Sequence, residues 1–139
     1  IAQALADESD WVLVHDVVRP CVHPDDVNKL MQVLQQEPAG GLLASPVRAT
    51  LKRGTDFGLV QQTVDRSQLW CAATPQMFRY GVLLRALQTT RDVAAVTDEA
   101  EAVERCGHPV RLVPGRADNL KITFPEDLPL AGLLLGATS

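Results

Sequence analysis

The sequence is poor in aromatic residues, in cysteine and in long apolar runs, and each scarcity excludes a class of protein. Aromatic residues make up 4% of its 139 residues, and three cysteines (Cys21, Cys71 and Cys106) are widely spaced. No CxxC pair or histidine cluster accompanies them, which excludes the common zinc motifs and favours reduced thiols in a cytoplasmic protein. No apolar run approaches the ~20 residues that span a bilayer, so we expect no membrane partner.

Positive charge is also scarce. Lysine and arginine number 13 against 17 aspartates and glutamates, for a net charge of −4 and a pI of about 5.3. This balance argues against a nucleic-acid partner, which requires a basic field, but leaves room for a local basic pocket that binds a small anion. The motifs GxSxG and HExxH and a glycine-rich phosphate loop are all missing from the sequence.

What is present indicates one soluble α/β domain over residues 1–139. WVLVH starts with four apolar residues in a row, which is typical of a buried strand. PDDVNKLMQVL has the spacing of a helix that begins at Pro24, and GLLASPV is a second buried strand. Strand, helix and strand in this order favour a parallel sheet with helices packed on it. The first eight residues resemble the end of a helix, so we expect a segment upstream of Ile1.

Residues 47–68 differ from the rest because two polar, β-branched arms, RATLKR and LVQQTVDR, flank the turn-rich GTDFG. This pattern predicts a hairpin arm that projects from the body. An isolated hairpin is marginally stable, so a second subunit is its expected partner surface.

Three further elements follow the arm. The pattern predicts a helix at about 81–89, then a helix in VTDEAEAVERCG, capped by Thr97 or Asp98 with Glu101 completing a capping box. PVRLVPG predicts a strand. NLKITFPEDLPLAGLLL predicts a short strand and then a helix, with Thr123 and Glu126 as its capping box.

Charged residues directly follow the first strand. In an open parallel sheet, ligands bind beyond the carboxyl ends of the strands. Asp16 and Arg19 either form a binding site there or make a local ion pair, whereas His15 is interpreted as structural. Arg66 and Lys121 either bind phosphate or are ordinary surface charges. The hydroxyls of Thr50, Thr74 and Thr97 either bind a polyol or phosphate or have structural roles.

Five segments in order, VLVHDVVRPC, SPVRATLKR, TVDRSQLWCAATPQMF, VTDEAEAVE and GRADNLKITFPEDL, together resemble the 2-C-methyl-D-erythritol 4-phosphate cytidylyltransferase family. The resemblance covers nearly the whole chain and about the C-terminal three-fifths of the family's length. It implies a Rossmann-like nucleotidyltransferase sheet with helices on both faces, and a projecting β-hairpin arm through which a homodimer forms. It also implies transfer of a cytidylyl group from CTP to 2-C-methyl-D-erythritol 4-phosphate, with Mg²⁺ or another divalent cation as cofactor, in isoprenoid precursor synthesis.

Residue roles follow from the same resemblance. Arg66, delivered from the partner's arm, and Lys121 would be the catalytic residues that grip and aim the methylerythritol phosphate. The substrate-binding residues would be Asp16, Arg19, Thr50, Thr74 and Thr97. The metal ligands stay unassigned.

Two departures from the family pattern stand out. The usual His-Asp-Ala-Ala-Arg-Pro is here His-Asp-Val-Val-Arg-Pro, and the family's N-terminal glycine-rich loop has no counterpart in these residues. We therefore expect the 139 residues alone not to catalyse. Two alternatives remain open: a cytidylyltransferase for another polyol phosphate, such as ribitol 5-phosphate, and a non-catalytic dimerising module.

Overall fold

The computed structural model describes residues 7–90 and 96–137. Most of the helix tail expected at residues 1–8 therefore lies outside the described residues. Where that segment is described, at Asp7 and Glu8, the chain forms a turn closed by the Asp10 N–H on the Asp7 carbonyl (3.1 Å).

The described part of the chain forms a mixed α/β fold. Its strands are β1 Trp11–Val14, β2 Gly40–Pro46, β3 Leu51–Gly54, β4 Val60–Val64, β5 Trp70–Arg79 and β6 Arg111–Pro114. Its helices are α1 Pro24–Leu34, α2 Tyr80–Thr89, α3 Glu99–Arg105 and α4 Asp127–Ala137. None of these helices combines the length and apolarity required to cross a bilayer.

The central sheet has the order β1-β5-β2-β6 and is mixed, so the parallel pairing expected from the sequence is found only between β2 and β6. Strand β5 runs antiparallel to both β1 and β2, whereas β2 and β6 are parallel. The reason is the arm, which returns the chain beside the end of β2, with Pro46 opposite Trp70. Strands β1, β2 and β6 still share one direction, so their carboxyl ends meet at one edge of the sheet.

Helices cover both faces of this sheet, as expected. Neighbouring residues of β2 point to opposite faces, so Leu42 packs with α2 and α3 and Leu43 packs with α1. Of the apolar positions on α1, Leu30 and Leu34 are fully buried, but Met31 is 48% exposed and does not belong to the buried face.

The predicted hairpin forms a separate two-stranded sheet. Its strands β3 and β4 pair with each other, with Leu51 opposite Val64, and they join no other described strand. At the turn the Gly58 N–H donates to the Thr55 carbonyl (3.0 Å), and Phe57 is 91% exposed at the tip. The arm therefore contributes little to the core of its own chain.

The cap predicted for α3 is found in the structure, whereas the cap predicted for α4 is not. Asp98 is the residue that caps α3, and its carboxylate accepts the Glu101 N–H (2.9 Å). The expected strand and Thr123–Glu126 capping box before α4 were wrong. That segment is a loop that ends in a turn, and the Asp127 carboxylate accepts the N–H groups of Thr123 and Phe124 instead (2.8 and 2.9 Å).

Candidate active site at the end of the central sheet

A cavity of about 470 Å³ opens at the edge of the sheet where β1 ends. It brings together five of the seven residues singled out from the sequence, namely Asp16, Arg19, Thr74, Thr97 and Lys121. The other two residues, Thr50 and Arg66, are exposed at the base of the arm and do not line this cavity.

Asp16 and Lys121 form the charged centre of the cavity. Lys121 Nζ lies 3.1 Å from Asp16 Oδ2, and about half of the lysine side chain is exposed. The lysine comes from the loop after β6, and the Ile122 N–H fastens that loop to the Val18 carbonyl (2.8 Å). A lysine held in this way offers a compact positive charge to an incoming phosphate.

Arg19 is more deeply placed, with 13% of its side chain exposed. Its guanidinium donates to the carbonyls of Asn119 (2.8 Å) and Ala72 (3.4 Å), and its Nε lies 3.5 Å from Asp16 Oδ2. Arg19 therefore forms the local ion pair with Asp16 and also lines the cavity, while its role in substrate binding stays a prediction. Its guanidinium makes two hydrogen bonds to the protein, and its buried Nε has no hydrogen-bond partner among the described residues.

The threonine hydroxyls are committed as well. Thr74 Oγ1 accepts the Asp16 N–H (3.0 Å) and lies 3.0 Å from His15 Nδ1. Thr97 donates its N–H and its hydroxyl to Glu101 Oε2 (2.7 and 2.8 Å). These two hydrogen bonds, with a smaller contribution from Arg105, lower the pKa of the Glu101 carboxyl.

Two buried amides in this region were not singled out from the sequence. Asn119 Nδ2 donates to the Thr74 carbonyl (2.8 Å), and the Asn119 carbonyl accepts from Arg19. Gln76 joins β5 to α3, since its Oε1 accepts the Ala100 N–H (2.9 Å) and its Nε2 donates to Asp98 (3.0 Å). Gln76 could have been noticed in the sequence as an amide side chain within the mostly apolar strand β5.

The formal charges around the cavity do not favour a polyanion. The lining includes two cations, Arg19 and Lys121, and three carboxylates, Asp16, Asp98 and Glu99. Arg19 is mostly buried and ion-paired with Asp16, so Lys121 is the more exposed of the two cations. Binding a phosphate tightly at this edge therefore requires further positive charge.

Solved structures share this architecture. A 4-diphosphocytidyl-2C-methyl-D-erythritol synthase is similar to the chain with a TM-score of 0.85 and 45% identity, covering 97% of this chain and 61% of its own. A 2-C-methyl-D-erythritol 4-phosphate cytidylyltransferase from Francisella tularensis has a TM-score of 0.83 and 36% identity, covering 92% and 60%. The fold is thus that of a nucleotidyltransferase domain.

Sequence comparison identifies the family. The model of 2-C-methyl-D-erythritol 4-phosphate cytidylyltransferase matches residues 2–137. A relative of that name from Ectopseudomonas mendocina is 59% identical over 124 residues, which are 88% of this chain and 53% of the relative. The chain belongs to the 2-C-methyl-D-erythritol 4-phosphate cytidylyltransferase family, and it spans about half the length of the curated relatives it matches.

Proposed function

We propose that the full-length protein transfers a cytidylyl group from CTP to 2-C-methyl-D-erythritol 4-phosphate in the non-mevalonate route to isoprenoid precursors. The observation that carries this proposal is the cavity in which Lys121 lies beside Asp16 at the sheet edge, in a chain of this family. The products are 4-diphosphocytidyl-2-C-methyl-D-erythritol and pyrophosphate.

The reaction needs little covalent participation from the protein. A phosphate oxygen of the acceptor attacks the α-phosphorus of CTP, a new P–O bond forms, and the bond to the β-phosphate breaks to release pyrophosphate. Positioning and neutralisation of charge dominate such a step. Lys121 binds and orients the acceptor phosphate, while Asp16 holds the ammonium group at 3.1 Å and accepts hydroxyl hydrogens of the polyol.

The arm supplies the missing positive charge in this proposal. Arg66 lies at the foot of the hairpin and is exposed, and the cavity of the same chain does not include it. In a homodimer formed through the arms, Arg66 of each protomer enters the partner's cavity and pairs with the acceptor phosphate. The exposed apolar residues of the arm, such as Phe57 and Leu59, support an intersubunit contact.

Mg²⁺ is proposed for the full-length enzyme as an ion that enters with the triphosphate. The residues described here do not fit a metal site of their own, because they contain no cluster of three His, Cys, Asp or Glu side chains that could hold a metal ion. Asp16, the carboxylate closest to Lys121, is already paired with that lysine and with Arg19. No step above is therefore assigned to the metal.

The cytoplasm is the proposed location. Cys21, Cys71 and Cys106 are free thiols, and two of them are exposed. Exposed free thiols are typical of a reducing compartment.

The test of the activity uses the full-length protein with CTP and either 2-C-methyl-D-erythritol 4-phosphate or ribitol 5-phosphate. We expect pyrophosphate release with the first acceptor and a diphosphodiester product visible by phosphorus NMR. A preference for ribitol 5-phosphate would favour the alternative substrate, and inactivity with both would favour the dimerising module. The 139-residue chain alone is expected to give no turnover.

The role of the arm is tested by mixing inactive variants of the full-length protein. Arg66→Ala and Lys121→Ala protomers, each with low activity, should regain activity when they form heterodimers, because one of the two sites then keeps both cations. Heterodimers that are no more active than the parent variants would place Arg66 in the site of its own chain.

A further inference from the structure

His15 lies directly behind the cavity, although its sequence context indicated only a structural residue. Its Nε2 is 3.0 Å from the Arg19 carbonyl oxygen, and its Nδ1 is 3.0 Å from Thr74 Oγ1. Through these two contacts the half-buried ring connects the loop after β1 to strand β5. Both partners belong to the candidate site.

The chemistry of these partners determines which nitrogen of the neutral ring carries the hydrogen. A carbonyl oxygen only accepts hydrogen bonds, so the hydrogen between His15 and Arg19 must be on Nε2. In the neutral ring Nδ1 is then an acceptor, and it takes the hydroxyl hydrogen of Thr74. The oxygen of that hydroxyl at the same time accepts the Asp16 N–H (3.0 Å).

We propose that His15, as the neutral Nε2–H tautomer, is a positioning residue for the acceptor substrate. This inference rests on the proposed function. Because the Thr74 hydroxyl hydrogen is bonded to His15, Thr74 can only accept a hydrogen bond from the acceptor substrate. Thr74 therefore accepts from a hydroxyl of the polyol and does not donate to the phosphate. The phosphate is then bound by the cations Lys121 and Arg66.

The same bridge fixes the charged centre. The turn from Asp16 to Arg19 is closed by the Arg19 N–H on the Asp16 carbonyl (3.0 Å), and His15 holds the Arg19 end of this turn through its carbonyl. Thr74 holds the Asp16 end through the backbone N–H. Because Asp16 in turn holds Lys121, loss of His15 displaces the cation that binds the acceptor.

Three substitutions in the full-length protein separate the two hydrogen bonds. His15→Asn keeps an acceptor near the position of Nδ1, His15→Gln keeps a donor near the position of Nε2, and His15→Ala removes both. We expect His15→Ala to raise the KM for 2-C-methyl-D-erythritol 4-phosphate about tenfold, the value for losing two ordinary hydrogen bonds. The KM for CTP should stay within about twofold of wild type, and the Asn and Gln variants should each recover part of the loss.

His108→Gln is the matched control, because His108 is a partly buried histidine in the turn after α3 and does not line the cavity. It should leave both KM values unchanged. Equal acceptor KM values in wild type and all three His15 variants, or a rise confined to the KM for CTP, would overturn the proposal.

Nitrogen NMR of the His15 ring provides a test that does not depend on activity. The full-length protein should show the Nε2–H tautomer, and the Nδ1–H tautomer would overturn the proposal even if the enzyme is active. If wild type fails to use 2-C-methyl-D-erythritol 4-phosphate, the proposed function fails. The NMR result then still decides whether the His15 bridge exists.

Discussion

Gln76 is 1% exposed, yet both ends of its amide are hydrogen-bonded, to the Ala100 N–H and to the Asp98 carboxylate. A buried polar group of this kind stabilises a fold only while its partners are in place. At the residue scale, such amides hold the cavity walls together, while Lys121 and Asp16 line the cavity.

Gln76→Met keeps the side-chain volume but leaves both partners without their hydrogen bonds. We expect the free energy of unfolding of the full-length protein to fall by about 1 to 3 kcal/mol, because the buried Ala100 N–H is left unsatisfied, whereas water can solvate the partly exposed Asp98 carboxylate. Urea denaturation measures this change. Gln32→Met, at an exposed position of α1, is the control and should change stability little. A Gln76 variant as stable as the control would show that these hydrogen bonds do not matter.

The charged residues that line the cavity were easier to name from the sequence than the residues behind them. Asp16 and Lys121 could be named because charges at the ends of strands in a family motif indicate a site. His15, Gln76 and Asn119 act through hydrogen bonds to segments 24 to 59 positions away. Such partners are determined by the folded sheet and cannot be read from local spacing.

At the scale of elements, helix α3 forms one wall of the cavity and depends on an acid at its start. The Glu101 carboxylate accepts two hydrogen bonds from Thr97, and its folded-state pKa therefore lies below its ordinary value. A lowered pKa contributes stability above the unfolded pKa of about 4.3, and this contribution is lost as the pH falls through the folded pKa.

The corresponding prediction concerns Glu101→Gln. At neutral pH the variant should unfold at a lower urea concentration than wild type, and the difference should shrink below pH of about 4, where the wild-type carboxylate becomes protonated. Glu104→Gln on the same helix, at an exposed position, should show no such pH-dependent difference. A stability difference between wild type and Glu101→Gln that stays constant with pH would show that the ionised Glu101 carboxylate does not stabilise the helix.

The elements themselves were largely predictable, but their directions were not. Apolar runs identified β1 and β2, and caps identified α3, because these signals are local. The direction of β5 depends on where the arm returns the chain. The loop that contains Lys121 replaced an expected strand, because its Ile122 N–H bonds to the Val18 carbonyl and not to a neighbouring strand. Both outcomes follow from tertiary pairing.

At the scale of the whole molecule, helix α4 exposes a large apolar surface. Leu128, Leu130 and Leu133 are 58%, 49% and 73% exposed in the 139-residue chain. The helix sequence, DLPLAGLLLGA, is apolar around most of its circumference, which is typical of a helix covered on all sides. Exposed patches of this kind promote association.

We therefore expect the 139-residue chain, produced alone, to self-associate with increasing concentration. Leu133→Lys should reduce this association, as measured by sedimentation velocity. Val17→Lys is the matched control, since Val17 is 93% exposed and lies outside α4, and it should leave association unchanged. Equal effects of the two lysines would indicate that net charge, and not α4, governs association.

The most direct test of the central claim, that the cavity beside Lys121 binds the acceptor phosphate, is the pair of KM values of the full-length Lys121→Ala variant. We expect the KM for 2-C-methyl-D-erythritol 4-phosphate to rise at least about tenfold, as for loss of a charged hydrogen bond, with little change in the KM for CTP. Lys29→Ala, whose lysine bonds to the Pro114 carbonyl away from the cavity, should change neither. An unchanged acceptor KM together with a raised KM for CTP would contradict the claim and assign the cavity to the nucleotide.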